Sequence, residues 1–176
     1  LRKLNEEHLR NHPENGELAA RIAAYQLAAR MQTAAPEVTD LAGESKATHR
    51  LYGLDRPDKR QAKFSRMCLL GRRLIERGVR FVTLYCGGST STLNSWDGHR
   101  ELAKNHRHMA PICDQPVAAL LTDLQSRGLL DDTLVVWTTE FGRTPTSEGQ
   151  SDGRDHNIAG FTIWMAGGGM RPGISY

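Results

Sequence analysis

Apolar and polar positions follow strand-like and helix-like periods in turn along the second half of the chain. Three segments rich in β-branched and aromatic residues, Val79 to Cys86, Thr133 to Thr139 and Phe161 to Ala166, are typical of buried strands. Helical periodicity precedes the first two of them, at Lys59 to Arg77 and in the stretch before Gly128. Because helices and strands alternate in parallel sheets, the pattern predicts an α/β fold with a doubly wound, mostly parallel sheet flanked by helices.

The first part of the chain is predicted to be helical. Leu1 to His12 is expected to form a charged helix, and apolar spacing indicates a second helix from about Glu17 to Ala34, which Pro36 helps to end. We therefore expect residues 1–78 to form a helical segment of the domain. Residues 79–176 are expected to form an α/β core part with candidate metal-site loops, and the two parts together a single incomplete domain.

Two further expectations concern the long helices. The arginines of the Lys59 to Arg77 helix are expected to lie on a solvated face, as surface charges usually do. Pro111 and Pro116 are expected to interrupt the later helical region, because proline removes a helix hydrogen bond. Asp114 lies between them and is suited to cap a new helix.

The composition is that of a globular protein and excludes two classes of partner. Hydrophobic residues make up 39% of the 176 residues and charged residues 24%, which are ordinary values. A formal net charge of +3, without a basic run interleaved with aromatics, argues against nucleic acid. No apolar segment is long enough to span a bilayer.

Polar side chains follow or precede each predicted strand. Asp97 and His99 follow the first, Glu140 follows the second, and Asp155 with His156 precedes the third. If those strands are neighbours, these donors converge on one edge of the sheet. Carboxylates mixed with imidazoles suit Zn²⁺, Mn²⁺ or Fe²⁺ better than Ca²⁺. The alternative is that each residue caps a helix or pairs with an arginine.

The three cysteines, Cys68, Cys86 and Cys113, lack CxxC spacing, so the sequence indicates neither a disulfide framework nor a zinc knuckle. Cys68 lies on an apolar helical stripe and is expected in the core. Cys86 ends a predicted strand before two glycines, which leaves a cysteine-dependent hydrolase as one alternative. The sequence indicates no obvious partner base for its thiol.

Several motifs of the chain resemble known families. The stretch PVAALLTDLQSRGLLDDTLVVWTTEFGRTP resembles the helix, loop and strand that lead into the metal motif of sulfatases and other alkaline phosphatase superfamily enzymes. More narrowly, ELAARIAAYQLAARMQTAAPEV, GRRLIERGVRFVTLY, SWDGH, TTEFGRTP, GRDHN and AGGG resemble the bacterial domain of unknown function 1501 family (DUF1501). These ordered motifs cover nearly the whole chain.

The resemblance implies an alkaline-phosphatase-like core and metal-dependent hydrolysis of phosphate or sulfate esters. By position, Asp97 and His99 correspond to the metal-binding Asp and His that precede the superfamily's long helix. Glu140 stands where the superfamily has an Asp. His156, with Asp155 beside it, corresponds to the late histidine ligand. The implied cofactor is a divalent metal, Zn²⁺ or Mn²⁺.

Two departures from the superfamily pattern leave a second function open. Phe141 occupies the place of an expected histidine ligand, and its ring is expected to pack inward against Trp137 or Phe161. The superfamily's nucleophile lies in an early part of the fold that this chain lacks. We therefore expect a C-terminal-half fragment whose nucleophile lies outside it. The alternative is a non-catalytic binding or structural protein that retains the fold.

The resemblance also implies the kind of substrate and its location. The substrate is expected to be an anionic small molecule or a glycan ester, held by Arg143 or Arg154. The family resemblance implies an exported bacterial protein, periplasmic or secreted.

The sequence has two further candidate histidines, His106 and His108. They are expected on a helix surface, away from the site.

Overall fold

The structure is a computed structural model that describes residues 2–87, 95–147, 149 and 151–175. The chain divides into two compact units, Leu1–Gly43 and Glu44–Tyr176. The first unit holds α1 (Arg2–Asn11) and α2 (Gly16–Thr39), so the two helices expected there are confirmed. Asn15 begins α2, because its side-chain oxygen accepts a hydrogen bond from the Leu18 amide at 3.1 Å.

The second unit contains three α-helices and four short strands among its described residues. In chain order they are α3 (Lys46–Tyr52), α4 (Lys59–Glu76), α5 (Leu102–Ser126), β1 (Leu134–Trp137), β2 (Gly142–Arg143), β3 (His156–Asn157) and β4 (Trp164–Gly167). A 3-10 turn at Leu130–Asp132 connects α5 to β1. None of the described helices is both long and apolar enough to cross a membrane.

The prediction of a doubly wound, mostly parallel sheet is wrong. The strands form two small antiparallel pairs instead, β2 with β3 and β1 with β4, and the latter register sets Trp137 opposite Trp164. Two of the observed strands overlap predicted ones. Strand β1 lies within Thr133 to Thr139, and β4 overlaps the end of Phe161 to Ala166. Apolar alternation indicates an extended backbone, but it does not identify the partner strand or its direction.

The remaining predicted strand, Val79 to Cys86, belongs to neither sheet of the described chain. Exposure alternates along it, as it does along a strand that is covered on one face. Phe81 is 85% exposed and Tyr85 is 76% exposed, so the prediction of a buried strand is wrong. The inward side chain of Leu84 packs on α4. A Cβ added to Gly71 of α4 would lie 3.3 Å from the Cδ1 atom of Leu84.

Helices α3, α4 and α5 pack together and hold the core of the second unit. Its buried apolar side chains include Tyr52, Phe64, Cys68, Leu69, Met109, Ile112, Ala119 and Leu124. Helix α5 runs through Pro111 and Pro116, so the predicted interruption and the Asp114 cap are wrong. An interior proline costs a helix about 3 kcal/mol. Burial of Ile112, Cys113 and Pro116 on one face of α5 offsets that cost.

A buried ion-pair network, here called the Arg72 network, joins the same three helices. The guanidinium of Arg72 is 2% exposed and contacts the carboxylates of Glu44 at 2.8 Å, Glu76 at 2.6 Å and Asp123 at 2.9 Å. Tyr52 donates a hydrogen bond to Asp123 at 3.0 Å. The expectation of a solvated face is therefore wrong for Arg72, because three carboxylates neutralise it inside the core.

Candidate metal centre

Two loops of the second unit meet at a group of polar side chains. The first loop precedes α5 and carries Asp97 and His99. The second loop joins β2 to β3 and leads to His156 in β3. Asp97, His99 and His156 each offer one ligand atom, and these three atoms lie within 4.8 Å of one another. We call these three residues the Asp97 cluster.

The distances within the Asp97 cluster are short. His99 Nε2 lies 3.0 Å from Asp97 Oδ1 and 3.0 Å from His156 Nε2. His156 Nε2 lies 3.5 Å from Asp97 Oδ1. Two imidazole nitrogens and a carboxylate oxygen that face one another are stabilised by a positive centre between them, either a shared proton or a metal cation.

The donor set fits a divalent transition metal. Imidazole nitrogen and carboxylate oxygen are ligands of Zn²⁺, Mn²⁺ and Fe²⁺, and two histidines with one carboxylate form a recurrent three-point set. A tetrahedral ion with bonds of about 2.0–2.1 Å needs donor atoms about 3.3 Å apart. The distances of 3.0, 3.0 and 3.5 Å bracket that spacing. The cluster therefore fits such an ion with little rearrangement.

Arg143 brings a positive charge against the cluster. The pairing of β2 with β3 sets it opposite His156. Its Nη2 donates to Asp97 Oδ1 at 2.6 Å, and its Nη1 lies 3.5 Å from His99 Nε2. The hydrogen bond from Arg143 is the main reason why the pKa of Asp97 is lowered, although partial burial opposes it. The lowered pKa favours the ionised carboxylate of Asp97, the form that can bind a cation.

Hydrogen bonds to the backbone hold the two loops together. The Arg154 amide donates to the Gly98 carbonyl at 2.9 Å, and the Ser151 hydroxyl donates to the His99 carbonyl at 2.8 Å. Gly153 lies so close to the first loop that an added Cβ would be 1.9 Å from the His99 carbonyl oxygen. Any side chain at position 153 would clash with the first loop, so the contact between the two loops requires glycine there.

Sequence reasoning did not single out Gly153. The available signal was the pair Asp152-Gly153, which is typical of a tight turn. That signal predicts a local bend, but it does not reveal that the backbone of another loop passes within contact distance. The requirement for glycine at this position became visible only in the folded chain.

Two of the five predicted metal ligands lie outside the Asp97 cluster in the described structure. Glu140 is exposed beyond the end of β1. Asp155 is engaged by the backbone, since its Oδ1 accepts a hydrogen bond from the His156 amide at 2.7 Å. Arg154, predicted to hold substrate, donates from Nη1 to the Gly153 carbonyl at 2.7 Å. The structure therefore brings together three of the five predicted ligands, with Arg143 as the adjacent cation.

Phe141 contacts the Asp97 cluster instead of the expected aromatic residues. The centroid of its ring lies 4.4 Å from that of the His156 ring. Trp137 contacts the ring of Trp96 instead, at 6.4 Å, and Phe161 is 55% exposed. The expected packing of Phe141 on Trp137 or Phe161 is therefore wrong, and its phenyl ring forms an apolar wall beside a candidate ligand.

The two remaining candidate histidines lie on α5. His106 is exposed, with its ring centroid 5.6 Å from that of Trp96. His108 is partly exposed, and its Nε2 contacts the guanidinium of Arg60. Both are outside the Asp97 cluster, which agrees with the expectation that they lie on the helix surface.

Comparison with known proteins identifies the family of the chain. A family model described as "Protein of unknown function (DUF1501)" matches residues 1–176. No curated protein and no solved structure matches the chain significantly. Because the family model covers every residue, the chain belongs to the DUF1501 family.

Proposed function

We propose that the chain binds a divalent cation through Asp97, His99 and His156, and that this site serves the hydrolysis of phosphate or sulfate esters. The observation that carries the proposal is the convergence of one carboxylate oxygen and two imidazole nitrogens at 3.0–3.5 Å. Resemblance of the stretch PVAALLTDLQSRGLLDDTLVVWTTEFGRTP to alkaline phosphatase superfamily enzymes supports the class of reaction.

The residues of the site have distinct tasks in such a reaction. His99 and His156 bind a cation as neutral imidazoles, and Asp97 binds as a carboxylate, a form that its lowered pKa favours. When bound, the cation polarises a phosphoryl or sulfuryl oxygen and lowers the pKa of the attacking hydroxyl. The guanidinium of Arg143 faces the cluster, and beside its hydrogen bonds to Asp97 Oδ1 and to the Arg154 carbonyl it has further N–H groups for the oxygens of an anionic ester.

A specific observation favours a second candidate function, that of a metal-binding protein without turnover. Phe141 stands where the superfamily has a histidine ligand, and its ring packs 4.4 Å from the ring of His156. A phenyl ring in that place limits the cluster to three protein ligands from the described residues. Binding of a cation is common to both candidates, and turnover distinguishes them.

The first experiment tests cation binding itself. Titration calorimetry of the chain with Zn²⁺ and Mn²⁺ should show one site, and His156→Ala should weaken its affinity by at least about a hundredfold, since even outer-shell partners of a metal contribute about 10–100-fold. His108→Asn is the matched control, because His108 lies outside the cluster, and it should bind as the wild type does. Equal binding by wild type and His156→Ala would overturn the proposal.

The second experiment tests the task given to Arg143. Arg143→Gln removes a charge that competes for Asp97 Oδ1 at 2.6 Å. A charge-assisted hydrogen bond of about 1.5 kcal/mol corresponds to about tenfold, so cation affinity should rise by about that factor. Binding of inorganic phosphate to the cation-loaded protein should fall in the same variant. Weaker cation binding in Arg143→Gln would show that the guanidinium only supports the loop.

The third experiment separates the two candidate functions. The natural protein should hydrolyse an aryl phosphate or an aryl sulfate, and a chelator should abolish that activity. His156→Ala should abolish it as well, whereas His108→Asn should not. Cation binding without turnover of either ester would favour the binding protein over the hydrolase.

A further inference from the structure

The three tryptophans of the chain gather at one end of the β1–β4 sheet, beside α5. Strand pairing sets Trp137 opposite Trp164, and their rings are stacked, with centroids 6.1 Å apart and planes at 4° to each other. The ring of Trp96 meets that of Trp137 at a right angle, with centroids 6.4 Å apart. Because the sequence has only these three tryptophans, the intrinsic fluorescence of the protein reports on this cluster.

A groove lies between the stacked pair and one face of α5. Its volume is about 290 Å³, just below the range of about 300–1,000 Å³ that is common for small-molecule sites. Trp164 is 38% exposed, so the aromatic wall of the groove is open to solvent on one side. The groove therefore has the size and the access for a small ligand. Its lining residues are Cys113, Asp114, Val117, Ala118 and Leu121 of α5, with Trp137 and Trp164 of the sheet.

The lining of the groove carries one charge. Asp114 is exposed, and it is the only charged residue among the described residues that line the groove. In the described part of the chain, no basic side chain forms an ion pair with it. The carboxylate repels an anion, and a neutral apolar ligand would remove water from it without compensation. The charge of the groove therefore favours a cation.

The remainder of the lining selects the kind of cation. A primary ammonium is strongly hydrated and needs several acceptors when it leaves water, whereas the described lining offers the carboxylate of Asp114 alone. A quaternary ammonium has no N–H group to satisfy, and its methyl groups are apolar. Indole is the ring that attracts a cation most strongly to its face, and aromatic sites for quaternary ammonium ligands use this attraction.

A sugar matches the groove less well than a quaternary ammonium does. Indole faces also stack on the apolar face of a sugar ring, but the hydroxyl groups of a sugar lose water in the groove. Each of them then needs a hydrogen-bond partner, and the lining supplies one carboxylate among otherwise apolar side chains. The chemistry of the lining as a whole therefore fits an organic cation with an apolar surface.

We propose that the groove between the stacked tryptophans and α5 binds a quaternary ammonium group such as that of choline. The cation lies within about 6 Å of the centroid of an indole ring, and the carboxylate of Asp114 balances its charge. The methyl groups lie against the apolar side chains of Val117 and Leu121. The inference does not rest on the proposed metal site, because the groove contains no residue of the Asp97 cluster.

The test is a titration of the chain with choline, followed by tryptophan fluorescence and by calorimetry. The matched probe is dimethylbutanol, in which a neutral carbon atom replaces the nitrogen of choline and the shape is kept. A chelator is present throughout, so metal binding does not influence the outcome. Choline should change the fluorescence in a saturable manner and should bind at least about tenfold more tightly than dimethylbutanol, since only choline carries a charge.

Variants assign the parts of the site to the carboxylate and the ring. Asp114→Asn should weaken choline binding by about fivefold, as the loss of an exposed charge pair does, and should leave dimethylbutanol binding unchanged. Asp131→Asn is the matched control, because Asp131 is exposed and lies outside the groove, and it should bind choline as the wild type does.

Two substitutions of Trp164 test the aromatic wall. Trp164→Ala should weaken choline binding by about tenfold or more. Trp164→Phe keeps a ring opposite Trp137, and its affinity should lie between those of the wild type and Trp164→Ala. Circular dichroism checks that each variant is folded. If Trp164→Ala unfolds, Trp164→Phe and Asp114→Asn still carry the test.

Four results would overturn the inference. The first is the absence of saturable choline binding, and the second is equal affinity for choline and dimethylbutanol, which would make the groove a site for any apolar group. The third is choline affinity that Asp114→Asn leaves unchanged. The fourth is tighter binding of methyl glucoside or inorganic phosphate than of choline, which would assign the groove to a sugar or to an anion.

Discussion

Two regions of the second unit place an arginine against carboxylates, yet the regions differ in depth. Arg72 is 2% exposed and contacts three carboxylates, at 2.6–2.9 Å. Arg143 is 24% exposed and contacts a single carboxylate, that of Asp97, which is 54% exposed. Arg72 lies in the core between helices, whereas Arg143 faces two imidazoles that lie partly in solvent.

The same chemical pair stabilises the core in one place and, on our proposal, takes part in cation binding in the other. In the Arg72 network each carboxylate has an arginine partner, including Arg73 for Glu44 and Arg127 for Asp123, so the network is neutralised from within. In the Asp97 cluster, one carboxylate and two imidazoles lie beside the single guanidinium of Arg143. The three ligand atoms of the cluster lie within 4.8 Å of one another. A cation can enter the second arrangement but has no place in the first.

The largest expected effect is on stability, from Arg72→Met. Removing the guanidinium leaves buried carboxylates with fewer partners, which costs about 3–5 kcal/mol when a buried pair is broken. Because Arg73 and Arg127 remain, we expect the lower end of that range. Urea unfolding measures the loss. Arg143→Met is the matched variant and should cost under about 1 kcal/mol, as exposed pairs do. Equal losses in the two variants would contradict the comparison.

An intermediate effect is expected for Gly153→Ala. The added methyl would lie 1.9 Å from the His99 carbonyl oxygen, so the two loops must separate. Overpacking of this kind costs about 1–3 kcal/mol, and Zn²⁺ binding should be lost although all three ligands are present. Gly160→Ala is the control, because a Cβ there would meet only Asn157 Nδ2, at an ordinary contact distance of 3.7 Å. Intact Zn²⁺ binding by Gly153→Ala would show that the loops need not touch.

The smallest expected effect is on the pH dependence of stability. Burial by itself would raise the pKa of Glu44, but hydrogen bonds from Arg72 and Arg73 outweigh it and lower that pKa. The stabilisation from Glu44 is therefore fully present above its unfolded pKa of about 4.3 and is lost as the pH falls through its lower folded pKa. The pKa of Asp97 is also lowered, so the stabilisation from Asp97 is likewise present above its unfolded pKa of about 3.9 and is lost as the pH falls further.

Urea unfolding between about pH 3 and pH 6 checks this expectation. Glu44→Gln should flatten the acid slope of the unfolding free energy, since the Glu44 side chain is 8% exposed. Asp97→Asn should flatten it less, because solvent screens a half-exposed pair. A larger change in Asp97→Asn than in Glu44→Gln would reverse the assignment of the two regions.

The pattern of the sequence by itself predicted three of the helices and a set of candidate ligands that includes the cluster. The sequence placed α1 and α4 within a few residues of their observed bounds, because helix-forming patterns are local properties of the chain. Helix α2 continues past its predicted end at Ala34, through Pro36, to Thr39. The chemistry of Asp97, His99 and His156 was equally visible, since side-chain type alone limits what can bind a transition metal. Family membership also followed from ordered motifs and is confirmed over the whole chain.

Only the tertiary structure decided which of those residues meet. The predicted parallel sheet failed because β1 pairs with β4 in the antiparallel sense, and pairing direction depends on contacts between distant segments. Glu140 and Asp155 were indistinguishable from true cluster members in sequence, yet their carboxylates lie elsewhere. The burial of Arg72 has the same physical reason: a side chain's environment comes from elements far away in the chain, which local patterns do not encode.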